Sequence, residues 1–143
     1  MRPIEALAAA LLLLVLPAAS QAPDTTAEQA ANIPVGEWTA MASGHTLTYR
    51  IDGALWALEH YYPGSNRVTL QLYDGSCMQG TWDYSDPLYC FHWDGQGTSC
   101  FRHVRLGERI VIIESQGGAD TTMTQDMTGV TDIPLQCGPA VTS

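Results

Sequence analysis

The sequence contains no lysine: its six basic residues are all arginine, set against fifteen aspartates and glutamates for a formal net charge of −9. Phosphate backbones and anionic lipid surfaces attract positive stripes, and the chain has none, which argues against nucleic-acid binding and peripheral membrane attachment. The acids are scattered, the pattern of a solvated surface rather than a dedicated cation site. Long apolar runs are missing beyond residue 20, so nothing there could stop transfer or span a bilayer. The chemistry-bearing motifs are missing as well. There is no Gly-x-Ser-x-Gly, His-Glu-x-x-His, Gly-x-Gly-x-x-Gly or phosphate-cradling loop. The absence of Cys-x-x-Cys argues against a thioredoxin-like redox role and, with no Cys-x-x-Cys-His, against covalent haem attachment. Aromatic residues are absent before position 38 and after position 101.

What is present begins with residues 1–20. Arg2, an apolar block over 6–16 and the small residues Pro17-Ala18-Ala19-Ser20 read as a signal peptide cleaved after Ser20. Arg2 and Glu5 would leave together, so the charge stays unchanged. Residues 21–34 are small, polar and free of aromatics, and read as a flexible lead-in. Residues 35–143 form a single β domain, with an irregular tail expected from about 116. All four cysteines lie beyond the cleavage point, in a chain expected to be periplasmic or secreted, where thiols oxidise.

Turn signals punctuate the aromatic span. Asp52-Gly53, Asp74-Gly75 and Asp94-Gly95 recur 22 and 20 residues apart, with Pro63-Gly64, Asp86-Pro87 and Gly107 between them. The runs between these marks alternate with period two: Leu47, Tyr49 and Ile51; Val68, Leu70 and Leu72; Met78, Gly80, Trp82 and Tyr84. Ile110-Val111-Ile112-Ile113 does not alternate and predicts a strand covered on both faces. Strands are expected at about 36–42, 45–51, 54–62, 67–73, 77–84, 88–93, 99–106 and 109–115. Short turns make them an antiparallel meander that closes into a small barrel, with a two-sheet β-sandwich as the alternative. Residues 119–127 are consistent with a closing strand or with a helical turn.

Four cysteines allow three pairings. The preferred one joins Cys90 to Cys100 across the hairpin at Asp94-Gly95-Gln96, which leaves Cys77 with Cys137. Chain entropy makes the first closure worth roughly 3 kcal/mol and the second roughly 4 kcal/mol. Cys90, His92, Cys100 and His103 also compose a zinc-competent set, but 100 and 103 differ by an odd step and point to opposite faces of a strand. No metal or other cofactor is assigned.

Glu37, Glu59, Glu108 and Glu114 show no local pairing of the kind a glycosidase needs. Glu59 and His60 are adjacent, so in a strand their side chains oppose each other, and one could enter the interior beside tyrosines. The candidate ligand-lining set is therefore Trp56, Trp82, Trp93, Tyr49, Tyr61, Phe91, Glu59 and His60. A binding role fits these aromatics better than catalysis, although filling a small barrel would use them too. The reading is an exported β-barrel protein that binds a small apolar molecule or a protein partner. The alternatives are a periplasmic hydrolase using Glu59 and His60, and a structural envelope protein.

Two resemblances accompany this reading. Gly36-Glu37-Trp38 resembles the Gly-x-Trp at the first strand of lipocalin- and avidin-type barrels. Gly44, Leu47, Trp56, Glu59, Tyr62-Pro63-Gly64, Asp74-Gly75, Cys77, Gly80-Thr81-Trp82, Cys90-Phe91 and Cys100-Phe101 together resemble small secreted proteobacterial proteins of unknown function. The second resemblance covers residues 44–101 and implies class and compartment only.

Overall fold

Short hairpin turns at Asp-Gly steps and alternating apolar faces leave a chain few options but a meander, and this is what forms. The computed structural model describes residues 30–138. The proposed signal peptide and most of the lead-in lie outside the described residues. Among those described, the order is β1 (Ala31–Asn32), α1 (Val35–Ala42), β2 (Thr46–Ile51), β3 (Ala54–Tyr61) and β4 (Arg67–Leu72). Then come β5 (Cys77–Ser85), β6 (Leu88–Trp93), β7 (Gly97–Leu106), β8 (Arg109–Gln116) and β9 (Ala119–Thr131). From β2 to β9 each strand pairs antiparallel with the next, and β9 returns to β2, closing an eight-stranded barrel. β1 lies outside that closure, against the end of β7.

Three expectations are corrected. Residues 36–42 form a helix, not a strand. Pro34 occupies the N-cap, and Val35, Trp38 and Ala42 recur at helical spacing on the face that packs inward. A strand would instead have put Ala40 on the face of Trp38, and Ala40 is exposed. The tail does not become irregular at 116: Ala119–Thr131 is the strand that closes the barrel, and the irregular segment starts at Asp132. Without β9 the outer edges of β2 and β8 would be unpaired, so closure overrides the weak local pattern of this Thr- and Met-containing stretch. The lead-in is ordered at its end, where β1 pairs with Val104 and Arg105, and Ile33 is buried.

In an up-and-down barrel every second turn falls at the same end. The Asp52-Gly53, Asp74-Gly75 and Asp94-Gly95 turns therefore share one end with Gly117-Gly118, and the period of about two strands seen in the sequence is the geometric consequence. α1 plugs the opposite end. Its Trp38 is fully buried against Tyr61 at 6.2 Å, Tyr89 at 5.8 Å and His103 at 4.1 Å between ring centroids. The Tyr89 hydroxyl donates to the Ile33 carbonyl at 2.8 Å, tying the lead-in to the same plug.

Both disulfides pair as preferred. Cys90 and Cys100 are direct cross-strand partners on β6 and β7, with Cα atoms 4.1 Å apart. Cys137 joins Cys77 and straps the tail over the outer wall, where Gln71 and Gln136 exchange hydrogen bonds. No helix among the described residues is long and apolar enough to cross a membrane.

Candidate ligand-binding cavity

One end of the barrel is filled by α1, and the end carrying the Asp-Gly turns is not. A cavity of about 360 Å³ runs inward from it. The inward positions of the strands supply its walls: Leu70 and Leu72 from β4, Met78 from β5, Phe91 and Trp93 from β6, and Phe101 from β7. Ile112 and Glu114 of β8 and Met123 and Gln125 of β9 complete the ring. Trp56 stands at the mouth, its ring 6.3 Å from that of the exposed Tyr73.

Polar groups sit deep in this apolar shaft. Glu59 is inward on β3 and only 4% exposed. Tyr61 follows two residues later on the same face, and Tyr49 is diagonal to Glu59 on β2, where Leu47 is the direct partner. Both hydroxyls donate to the same carboxylate oxygen, Oε2, each at 2.8 Å. Oε1 has no hydrogen-bond partner among the described residues. Burial pushes the Glu59 carboxyl up to about 7, while the two hydroxyls pull it back down. Burial first and the Glu59 charge second hold both tyrosines well above their usual range, so they remain neutral donors.

His103 also lines the cavity, on β7. It stacks flat on Tyr89 with centroids 4.0 Å apart, and its Nδ1 is buried without a partner. Burial lowers its pKa to about 3, so the ring is neutral in ordinary conditions.

Of the candidate lining residues, Tyr49, Trp56, Glu59, Phe91 and Trp93 do line the cavity. Tyr61 lies just below and contributes its hydroxyl. Two residues are placed elsewhere. Trp82 packs against Tyr61 and Tyr89 near the plug, since its strand carries it past the cavity toward α1. His60 points to the outside, where its Nδ1 is 3.1 Å from Thr46 Oγ1, because successive strand residues alternate. The barrel wall thus separates Glu59 from His60.

His103 and Glu114 are functional candidates that the sequence reading did not place in a pocket. Their positions are inward by strand parity with Phe101 and Ile112, a signal available once the strand boundaries are known. His103 and His92 lie on opposite sides of the wall, and Cys90 and Cys100 are bonded to each other, which disperses the zinc-competent set. On the outer wall His92 bridges Asp83, at Nε2, and Thr98, at Nδ1, with the His92 and Asp83 side chains about half exposed. This cluster links β5, β6 and β7 on a convex surface. The chain matches no protein-family model, no curated protein and no solved structure.

Proposed function

We propose that the protein is an exported binding protein that takes one small, mostly apolar molecule into its barrel through the open end. The observation that carries this reading is the cavity itself, aromatic-walled and ending on a buried carboxylate with one oxygen unused. A barrel of eight strands has room for either side chains or one small ligand. Here the side chains fill only the helix end. A volume of about 360 Å³ falls in the range of small-molecule sites, in which few polar groups orient a ligand inside apolar walls. Burying Glu59 also costs stability, a pattern more typical of binding and catalytic sites than of packing. Two disulfides fit an oxidising compartment and support placement in the periplasm or outside the cell, as does the resemblance to small secreted proteins. The hydrolase alternative draws no support from Glu59 and His60, which do not share a cavity.

The test uses a neutral fluorescent probe, N-phenyl-1-naphthylamine, and the variant Ser99→Trp, which fills the shaft from an inward position on β7. Saturable, one-to-one enhancement with the native protein, lost in a variant of unchanged circular dichroism, is the expected result. Equal enhancement in both proteins would locate the probe elsewhere and overturn the reading, as would no enhancement at all.

A further inference from the structure

Charge inside the cavity is of one sign. The ionisable groups that line or adjoin it are Tyr49 from β2, Glu59 and Tyr61 from β3, His103 from β7 and Glu114 from β8. The tyrosines and His103 are neutral, which leaves two carboxyl groups. No cationic side chain among the described residues answers them. The chain has no lysine, and none of the five arginines among the described residues lines the cavity. Arg102 is held by Asp120, Arg105 by Glu37 and Arg109 by Asp126 on the outer surface. Arg67 lies over the Tyr62 ring, and Arg50 donates to the Gly53 carbonyl.

An anionic ligand entering this shaft would lose its hydration and meet only like charge. A cation would meet the opposite situation. Oε1 of Glu59 is an acceptor without a donor, and both neighbouring hydroxyls already donate to Oε2, the hydrogen-bond pattern of a carboxylate acting as acceptor. The cavity it belongs to is walled by Tyr49, Phe91, Phe101, Trp56 and Trp93, whose ring faces attract ammonium groups and whose area holds an apolar body. The volume equals that of about a dozen water molecules, room for a ring and a short chain. We infer that the ligand class is a small organic amine bound as its ammonium ion, with the nitrogen on Glu59 and the apolar body between the aromatic walls. This inference rests on the cavity being a binding site.

Three probes with nearly the same skeleton separate the two ideas: 2-phenylethylamine, 2-phenylethanol and 3-phenylpropanoate, titrated calorimetrically near pH 8. The amine is expected to bind about tenfold or more tightly than the alcohol, and the carboxylate not at all. Glu59→Gln, whose amide carbonyl can still accept both tyrosine hydroxyls, should abolish the preference and bring the amine down to the affinity of the alcohol. If alcohol or carboxylate binds as well as the amine, the charge assignment falls while the binding site stands. If the amine fails to bind where the neutral naphthyl probe succeeds, the amine class is overturned alone; if every probe fails, both readings go. Undiminished amine affinity in Glu59→Gln would overturn the placement of the nitrogen on Glu59. The comparison among the three probes needs no variant, so it stands even if the variant misfolds.

Discussion

Glu59 and His103 place opposite demands on the same interior. The carboxyl titrates at about 7 against an ordinary 4.5, and the imidazole at about 3 against 6.5, both because burial disfavours charge. Native Glu59 keeps a proton between pH 4.5 and 7 that the unfolded chain has released, so its contribution to stability is present below 4.5 and lost as pH rises to 7. His103 runs the other way. The unfolded chain takes up a proton below 6.5 that the native ring refuses, so stability falls as pH drops from 6.5 toward 3. Between 4.5 and 6.5 the two slopes oppose, and the pair should contribute a plateau. Glu59→Gln removes the alkaline loss: relative to the native protein it should gain about 3 kcal/mol in urea unfolding between pH 4.5 and 8. Parallel profiles for the two proteins would show that Glu59 titrates normally. That Glu59 and Tyr61 share one face and His60 takes the other was legible as strand parity, whereas which face turns inward, the diagonal Tyr49 and the lone nitrogen of His103 depend on register across strands distant in sequence.

At the scale of elements, the strands from β2 to β8 were readable because alternation and turn residues agree along the chain. Helix α1 and strand β9 were not. α1 has eight residues, too short for its amphipathic period to stand out beside an equally good Gly36–Trp38 alternation, and its stability comes from burying Trp38 in the barrel end. Trp38→Ala should therefore cost about 3–5 kcal/mol in chemical denaturation, the range for emptying a buried tryptophan site. A cost under 1 kcal/mol would mean the plug is dispensable. Strand β5 carries a second requirement at Gly80, where a β-carbon would come within 2.3 Å of the His92 carbonyl oxygen and 3.0 Å of the Trp93 ring. The obstacle at His92 is backbone, which cannot swing aside, so Gly80→Ala should destabilise by about 1–3 kcal/mol and lower the thermal midpoint. It should also disturb Trp93, shifting its fluorescence.

For the molecule as a whole, closure and covalent straps do the work that a small core does incompletely. Alkylation of the intact protein should find no reactive thiol among the four cysteines, and four after reduction under denaturing conditions; a thiol found without reductant would break one of the two bridges. Removing Cys77–Cys137 by double serine substitution should cost up to about 4 kcal/mol, and removing Cys90–Cys100 up to about 3 kcal/mol. The smaller loop already sits in a paired hairpin, so the order of these two costs separates chain entropy from local strand pairing. Loss of the first bridge should free the tail from the outer wall while β-sheet circular dichroism persists.

Local chemistry along the chain was enough to place the hairpins and their turns and to favour the pairing of Cys90 with Cys100, because each depends on residues a few positions apart. The all-β class and the concentration of aromatics in the interior follow from the same short-range rules. Which end of the barrel is plugged, which strand closes it, and which tyrosines meet Glu59 depend on contacts between segments far apart in sequence. The cavity belongs to that second group: it exists because α1 fills one end of the cylinder and none of the described residues fills the other, a fact about volume that no local pattern encodes.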